Sequence, residues 1–290
     1  MNAETELVTL TQIAIRAGVS ASAVSNWRKR YADFPQPVDG DRFATQQVNE
    51  WLRSRGKSAP EPDAGTGFLS ISQAVNMATH SYELSRVQAR PAIATLVTLV
   101  ALDADFAGDA PDFTAIATQV EADRQLPPGC LTGPVEPLRR VHSPNSDLIA
   151  SSVIRAVANW SAAEVFDSLL AEMADRDAAS SESLTNTSAI DFLTALLPDR
   201  AGSVLDPACG TGGLLQAAAA TTGATHVSGY DINSQAWALC VQRLLLHGLP
   251  IDQVHHQDVF AAQPTGFDLV ITHPPFGLRT TPDSPAGQLL

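Results

Sequence analysis

The sequence predicts an α/β fold: a parallel sheet in the last third of the chain, preceded by a helical domain and an N-terminal helix-turn-helix unit. Four short apolar runs alternate with helix-compatible runs between residues 184 and 273, the order that builds a parallel sheet with crossover helices. The stretch DPACGTGGLL at 206–215 joins the first apolar run to a helix-compatible run through closely spaced glycines. A strand, a glycine turn and a helix bring backbone N–H groups close to a ligand.

The composition is that of a globular protein with room for about two domains. The chain has 290 residues, of which 44% are hydrophobic and 17% are charged. Its longest apolar stretch, Ala92–Leu102, is shorter than the ~20 residues that cross a bilayer, and its first residues lack the signal-peptide pattern. Cys130, Cys209 and Cys240 show neither a disulfide framework nor metal-ligand spacing. We therefore expect a reducing, cytoplasmic setting, no membrane association and no bound metal.

Charge is distributed unevenly along the chain, whose net charge is −13. Residues 1–57 hold eight Lys and Arg residues against six Asp and Glu residues, a balance of +2. Residues 58–290 hold ten Arg residues against 25 acids, a balance of −15. This distribution disfavours a protein that coats nucleic acid, and only residues 1–57 offer phosphates a basic surface.

Residues 1–57 are predicted to form a helix-turn-helix DNA-binding domain. Gly18 suits the left-handed end of a first helix, and Ser20 can cap a second helix over residues 21–31. Serine and asparagine on this second helix can touch base edges, while arginine and lysine suit phosphates. The candidate DNA-binding residues are Ser22, Ser25, Asn26, Arg28, Lys29 and Arg30.

The segment after the second helix resembles the winged, excisionase-like branch of helix-turn-helix proteins. The resemblance rests on Phe34–Val38, on Gly40 and on a further helix that contains Val48, Trp51 and Leu52. It implies DNA as the partner of this unit. The alternative is a three-helix unit that binds protein or has no binding partner.

Residues 58–67 have the composition of a linker, and residues 68–180 are predicted to form a helical scaffold domain. The candidate helices are Ser70–Leu84, Arg90–Leu102, Asp112–Arg124, Ser146–Trp160 and Ser161–Ala174. Gln125–Asn145 is rich in Pro and Gly and is predicted to be a long loop. Histidines and carboxylates stand singly in this region, so we expect no catalytic site there.

Residues 181–290 contain four strand ends that carry candidate site residues. The first strand runs into the glycine loop at Asp206, the second ends at Asp231, and the third ends near Asp258. The fourth runs into the sequence HPPFG at 273–277. Because the carboxyl ends of parallel strands lie on one edge of a sheet, we expect these motifs to meet in one crevice.

The combination of DPACGTGGLL at 206–215 with HPPFG at 273–277 resembles the N6-adenine DNA methyltransferases. In particular, it is similar to the methylation subunit of type I restriction-modification systems and its single-chain relatives, over residues 184–277. The resemblance implies a Rossmann-like sheet and S-adenosylmethionine as cofactor. It also implies DNA as substrate and a specificity or restriction subunit as partner.

The resemblance assigns cofactor-binding roles to individual residues. Those that would hold the methionine part of the cofactor are Thr185, Asp206, Ala208, Cys209, Gly210, Thr211 and Gly212. Asp231 would hold the ribose hydroxyls. Asp258 would accept a hydrogen bond from the adenine amino group of the cofactor, with Val259 or Phe260 against the ring.

The resemblance assigns catalysis to His273, Pro274, Pro275 and Phe276. The amino group of adenine is a poor nucleophile because its lone pair is delocalised into the ring. Two acceptors, a side-chain oxygen and the Pro274 carbonyl, can hold the nitrogen for in-line attack on the methyl group. The target base must leave the duplex, and Phe276 can stack on it.

Two features depart from the pattern of the family. The family has Asn or Asp where this chain has His273, and a neutral imidazole has a single acceptor nitrogen. We therefore expect weak or absent methyl transfer. Only four of the seven strands of the family can be placed before Leu290, so we expect a fragment or truncated product, or a site completed by another chain.

Three functions remain open at this point. The first is an adenine-specific DNA methyltransferase with DNA affinity added by residues 1–57. The second is a DNA-binding regulator or partner subunit that binds the cofactor and does not react. The third is a methyltransferase for protein glutamine or RNA, because Pro-Pro-aromatic turns also serve planar amides and other amino groups.

Overall fold

The computed structural model describes residues 7–8, 10, 13, 21–40, 42–55, 64–106, 111–140, 145–176, 185 and 187–274. These residues form an N-terminal unit, a group of helices, and a four-stranded parallel sheet with its own helices. Within these ranges, no helix is both long enough and apolar enough to cross a membrane.

The N-terminal unit combines short strands with helices. Its elements are β1 (Leu7–Val8), α1 (Ala21–Arg30), β2 (Pro37–Asp39), β3 (Arg42–Ala44) and α2 (Thr45–Ser54). The strands form an antiparallel sheet in the order β1-β3-β2, and Gly40, with φ of 55°, stands between β2 and β3. The helix predicted over residues 21–31 is present as α1. The predicted turn before it, with Gly18 and Ser20, lies outside the described residues.

A small aromatic core holds the N-terminal unit together. Its buried residues are Ile13, Val24, Phe34, Phe43, Val48, Trp51 and Leu52. The rings of Trp51 and Phe34 meet edge-on with centres 4.9 Å apart, and Trp51 Nε1 donates to Asp33 Oδ2 over 3.1 Å. Arg55 Nη2 lies 2.6 Å from the other oxygen of Asp33. These contacts tie the end of α2 to the segment that follows α1.

A group of helices comes next in the chain. Its elements are α3 (Ala64–Ser81), α4 (Arg86–Ala101), α5 (Phe113–Asp123), α6 (Thr132–Val135), a 3₁₀ helix (Glu136–Arg140), α7 (Ser146–Asn159) and α8 (Ala162–Arg176). Residues 64–67, which the sequence places in the linker, form the first turn of α3.

The start of α4 differs from the prediction. The helix begins at Arg86 rather than at Arg90. Ser85 and Gln88 form a capping box, in which each side chain bonds the backbone N–H of the other residue. This cap sets the helix start about one turn before Arg90, where the prediction placed it.

The segment Gln125–Asn145, predicted to be a loop, contains α6 and the 3₁₀ helix. Glu121 in α5 explains why helices form here, because its carboxylate accepts hydrogen bonds from several backbone N–H groups of the segment. The N–H of Leu131 lies 2.6 Å from Glu121 Oε1, and the N–H of Thr132 lies 2.8 Å from the same oxygen. A distant carboxylate therefore caps the start of α6.

The last region is a parallel sheet. Its elements are α9 (Thr187–Thr194), β4 (Ser203–Asp206), α10 (Gly213–Thr222), β5 (His226–Asp231), α11 (Ser234–Leu246), β6 (Val254–His256), α12 (Val259–Ala262) and β7 (Leu269–Val270). The strand order is β6-β5-β4-β7, so the chain moves outward from β4 and then returns to its other side. The order reverses between β4 and β7, and open α/β sheets bind ligands at the carboxyl ends of strands at such a point. The predicted α/β fold with a parallel sheet is confirmed.

The group of helices and the sheet share one apolar core, which extends from Ile71 in α3 to Ile271 after β7. Helix α11 is buried over most of its length and packs against α4, α6 and α8 as well as β5 and β6. The helices at 64–176 are therefore part of the body that carries the sheet.

A buried amide fastens α11 to the helices before it. Gln242 Oε1 accepts from Thr98 Oγ1 over 2.9 Å, while Gln242 Nε2 donates to the Cys130 carbonyl over 2.6 Å and to Thr95 Oγ1 over 3.0 Å. Every polar atom of this buried side chain thus has a partner from an earlier helix or its loop, as burial requires.

Candidate active site

The loop between β4 and α10 is built around Asp206 and three glycines. Asp206 ends the strand, and its Oδ1 accepts the Ala208 N–H over 3.0 Å. Gly210 and Gly212 have φ of 53° and 79°, in the left-handed region that L side chains avoid. The Gly212 N–H then donates to the Cys209 carbonyl over 2.8 Å, and α10 begins at Gly213. This geometry points the start of α10 at the carboxyl edge of the sheet.

Close packing behind the loop explains a further requirement for glycine. A Cβ added at Gly212 would stand 2.7 Å from Cys240 Sγ, and one added at Gly229 in β5 would stand 3.0 Å from Cys209 Sγ. The backbone of the loop therefore lies directly on α11 and β5. The Cys240 hydrogen bond and burial raise the pKa of the Cys209 thiol well above its ordinary value, which keeps it neutral.

Asp231, at the end of β5, is in direct contact with the loop. Its Oδ2 accepts the Gly210 N–H over 2.9 Å, and its Oδ1 accepts the Asn233 N–H over 2.7 Å. Asn233 in turn caps α11 by accepting the N–H groups of Gln235 and Ala236. The strand-end acid predicted from the sequence thus lies beside the glycine loop.

Asp258 follows β6 and caps α12. Its Oδ1 accepts the Phe260 N–H over 2.9 Å. The ends of β5 and β6 are joined by a bond from the Gln257 N–H to the Asp231 carbonyl over 3.0 Å. Asp258 therefore follows the strand adjacent to the one that ends in Asp231.

Two large apolar side chains next to these acids are exposed. Ile232 directly follows Asp231 and is 67% exposed, and Phe260 lies two residues after Asp258 and is 43% exposed. His256 Nε2 lies 3.0 Å from the Ile232 carbonyl, which holds this residue against the end of β6. Ile232 is a candidate residue that the sequence analysis missed. The available signal was its place directly after a strand-end acid.

Asp206 is the most deeply buried acid of the site, with 1% of its surface exposed. Burial raises the pKa of its carboxyl to about 7, and the nearby charge of Asp231 adds to the rise, while the Ala208 N–H opposes it. The site therefore has a carboxyl group that changes its charge near neutral pH.

The segment after β7 lies beside β4. The Ile271 N–H donates to the Leu205 carbonyl over 2.9 Å, and His273 and Pro274 follow. His273 is half-buried and Pro274 is exposed. The predicted catalytic residues Pro275 and Phe276 lie outside the described residues.

The start of the sheet region packs on the same loop. A Cβ added at Gly213 would stand 3.2 Å from Ile190 Cδ1 in α9. Thr185, two residues before α9, is half-buried. Its predicted contact with the methionine part of the cofactor stays a prediction, as does that of Val259, the half-buried first residue of α12.

Behind the loop lies an ionic cluster that the sequence analysis also missed. It consists of Asp167 in α8, Arg243 in α11 and His247 after α11. Arg243 Nε donates to Asp167 Oδ1 over 2.8 Å, and Arg243 Nη1 donates to the Thr211 carbonyl over 3.0 Å. His247 Nε2 lies 2.9 Å from Asp167 Oδ2. Asp167 and Arg243 are 76 residues apart in sequence, so no local pattern pairs them.

The predicted DNA-binding residues lie on α1. Asn26, Arg28, Lys29 and Arg30 are exposed, and Ser25 is half-buried. The guanidinium of Arg28 stands 5.7 Å from the centre of the Phe43 ring in β3. Ser22 lies in the first turn of α1.

Comparison with known protein families and solved structures finds similarity over the region of the sheet and beyond. Residues 161–285 match the family described as N-6 DNA Methylase. No curated protein matches the chain.

The similar solved structures include three that are each 16% identical in sequence to this chain. One is a protein from Listeria monocytogenes described as a class I S-adenosylmethionine-dependent methyltransferase (TM-score 0.49; 76% of this chain, 60% of that chain). The second is a modification subunit of a type I restriction enzyme from Vibrio vulnificus YJ016 (TM-score 0.48; 76% and 62%). The third is a type I restriction-modification methyltransferase subunit from Streptococcus thermophilus (TM-score 0.46; 95% and 58%). The chain thus spans about 60% of the length of these proteins.

Proposed function

We propose that this chain, whose residues 161–285 match the N-6 DNA methylase family, acts in the S-adenosylmethionine-dependent methylation of adenine N6 in DNA. The observation that carries the proposal is the shared edge of the sheet. The glycine loop, Asp231, Asp258 and His273-Pro274 follow four neighbouring parallel strands. A ligand at this edge would meet all four segments.

The residues of this edge fit the nucleoside part of the cofactor. Each oxygen of Asp231 accepts one backbone N–H and keeps a further lone pair, which suits two neighbouring ribose hydroxyls. Asp258 keeps acceptor capacity for an amino group. Ile232 and Phe260 offer exposed apolar surface for a flat ring. The acceptor oxygens and apolar side chains at this edge thus match a sugar, an amino group and an aromatic ring.

The loop fits the methionine part. Its glycines leave no side chain in the way, and the Asp206 carboxyl in its charged form, which an ammonium group would favour, would attract that group. When bound, S-adenosylmethionine supplies a methyl group on a positively charged sulfur. The loop and the strand-end acids would bind and orient the cofactor, while the segment after β7 would orient the acceptor nitrogen.

His273 is the residue on which turnover depends. Asparagine presents a carboxamide oxygen to an amino group, whereas the acceptor nitrogen of an imidazole lies elsewhere and is lost on protonation. We expect slow methyl transfer by the native chain for this reason. His273→Asn should raise turnover roughly ten-fold or more, since it supplies the acceptor that holds the nitrogen.

Transfer of a labelled methyl group from S-adenosylmethionine to unmethylated duplex DNA tests this function. The arms are the native chain, His273→Asn, and Asp231→Ala as a variant with an impaired cofactor site. Label on adenine N6 that increases with His273→Asn and is lost with Asp231→Ala supports the proposal. If the label enters RNA or glutamine peptides and none enters DNA, then RNA or protein glutamine is the substrate and the proposal fails.

We expect the exposed basic residues of α1 to give the N-terminal unit its affinity for DNA. Lys29→Ala and Arg30→Ala should weaken DNA binding and lower the slope of log affinity against log salt by about 0.9 per lost phosphate contact. Arg139→Ala is the matched control, because Arg139 is an exposed arginine of the helical region, paired with Glu136. Equal effects of all three substitutions would refute a specific role for α1.

A second candidate function follows from His273 itself. His273, the first residue of the HPPFG sequence, is a poor acceptor, so the chain would bind cofactor and DNA without methyl transfer and act as a regulator or partner subunit. Calorimetry with S-adenosylmethionine separates the two candidates when it is combined with the transfer assay. Cofactor binding without transfer, in both the native chain and His273→Asn, favours the regulator.

A further inference from the structure

The Thr211 carbonyl in the glycine loop has a buried charged partner that cofactor binding alone does not explain. Arg243 is 8% exposed, and its guanidinium reaches both the loop and α8. A Cβ added at Gly213 would stand 2.7 Å from Arg243 Nη1, so the guanidinium lies directly against the first residue of α10. It therefore contacts the loop where the chain turns into the helix.

Asp167 fixes the direction of this guanidinium. Its Oδ1 accepts from Arg243 Nε, and its Oδ2 lies within hydrogen-bond distance of His247 Nε2. Although burial opposes the shift, the His247 hydrogen bond and the Arg243 charge hold the pKa of Asp167 below its ordinary value. The carboxylate thus stays charged at neutral pH, and Arg243 has a fixed anionic partner on a helix outside the sheet.

The two bonds to the loop act on the same peptide group. The Thr211 carbonyl accepts from Arg243, and the N–H of Gly212, on the other side of that peptide, donates to the Cys209 carbonyl. Together they fix the orientation of the peptide between Thr211 and Gly212. A peptide flip there would re-aim the backbone groups of the loop.

We propose that Arg243, held by Asp167, is a positioning residue that keeps the glycine loop in the conformation that binds S-adenosylmethionine. This inference rests on the proposed function. It makes the affinity for the cofactor depend on the packing of α8 against α11. The ion pair is only partly buried, because the Asp167 side chain is 37% exposed. Such a pair adds little net stability, so its effect is expected in loop geometry rather than in folding.

The test measures S-adenosylmethionine affinity by calorimetry, amide hydrogen exchange over residues 207–213, and thermal unfolding. Arg243→Met removes both charged hydrogen bonds and keeps the apolar stem. We expect about ten-fold to a hundred-fold weaker binding and a similar rise in loop exchange, as for the loss of a charge-assisted hydrogen bond. Arg243→Lys, whose ammonium group can reach one partner at a time, should restore part of the cofactor affinity and part of the protection of the loop against exchange.

The double variant Asp167→Leu/Arg243→Met distinguishes positioning from simple support of the fold. It removes both charges of the Asp167–Arg243 pair, and His247 keeps its contact with Gln216, so we expect thermal stability near that of the native chain with loop exchange still raised and cofactor binding still weak. If thermal stability, loop exchange and cofactor affinity all return to their native values in the double variant, the proposal is wrong. Ile149→Ala in α7 is the control for general destabilisation, and it should lower stability without a selective effect on loop exchange. If the native chain fails to bind S-adenosylmethionine, the proposed function fails, while the loop exchange of the variants still decides the role of Arg243.

Discussion

At the scale of single residues, Asp206 couples the glycine loop to pH. Its pKa in the folded chain, about 7, lies above the ordinary value of 3.8. Between pH 3.8 and about 7, the folded state therefore keeps a proton on Asp206 that the unfolded state has released. The contribution of Asp206 to stability is fully present below pH 3.8 and is lost as the pH rises through about 7.

Asp206→Asn should remove this dependence, because asparagine can still accept the Ala208 N–H and carries no charge. We expect the variant to gain stability relative to the native chain as the pH rises from 5 to 7, by about 1.4 kcal/mol per pH unit, and the gain should level off between pH 7 and 8. Urea unfolding of both proteins across this range measures the difference. A constant difference at every pH would contradict the assignment.

Gly212 tests how closely the loop packs on α11. Gly212→Ala combines a left-handed φ, which costs about 1–2 kcal/mol for an L residue, with a Cβ 2.7 Å from Cys240 Sγ. Overpacking of this kind costs a further ~1–3 kcal/mol.

Gly223→Ala is the matched control for this substitution. Gly223 has φ of 70°, and no heavy atom of the described residues outside its own chain neighbours lies within 4 Å of its added Cβ. In urea unfolding, Gly212→Ala should lose clearly more stability than Gly223→Ala. Equal losses would show that the thiol and the loop do not press on each other.

The sequence predicts that three acids meet at one edge of the sheet, but it does not predict what surrounds them. Asp206, Asp231 and Asp258 could be predicted because each lies at or just after the end of a predicted strand, and parallel strands bring such ends to one edge. Ile232 was missed because an apolar residue after a strand-end acid resembles any surface residue of a turn. Arg243 was missed because its partners are an acid in a distant helix and a backbone carbonyl.

At the scale of elements, α11 connects the sheet to the earlier helices. The structure shows this helix at Ser234–Leu246, and its Asn233 cap and apolar pattern are local signals. Its buried Gln242 has no local signal. Its partners come from α4 and from the loop before α6, more than 100 residues away.

Substitutions of Gln242 should show how strongly this amide fastens the two regions. Gln242→Leu leaves the Cys130 carbonyl without its 2.6 Å donor, so we expect a loss of roughly 2–3 kcal/mol. Thr98→Val should cost roughly 1 kcal/mol, and the double variant should cost less than the sum because the residues share one network. Strict additivity in urea unfolding would argue against a shared network.

The helices before the sheet show where element prediction stops. The segment Gln125–Asn145 has the Pro and Gly content of a loop, yet α6 forms within it because Glu121 caps its first N–H groups. A cap supplied by the preceding helix through tertiary contact leaves no mark in the segment itself. Capping by a near neighbour, as at Ser161 and Glu164 before α8, could be predicted from spacing.

At the scale of the whole molecule, the described residues contain two apolar cores. One belongs to the N-terminal unit, and the other joins α3–α8 to the sheet. The sequence suggested a boundary near residue 180 because the pattern changes there from helices alone to alternating strands and helices. The change of pattern is real, but α11 buries apolar surface against both regions, so the core crosses it.

Residues 64–274 should therefore unfold as one cooperative unit. The shared core, the Gln242 network and the Asp167–Arg243 pair would all break if the helices separated from the sheet, leaving buried polar groups unpaired. Hydrogen exchange followed by mass spectrometry at increasing urea concentration gives the measurement, with peptides from α4, α8, β4 and α11 as reporters. We expect these peptides to lose protection at one urea concentration, whereas peptides from residues 21–55 follow a transition of their own. Earlier loss of protection in α4 and α8 than in β4 would mean that the helices form a separate domain, and cofactor affinity would then be independent of their packing.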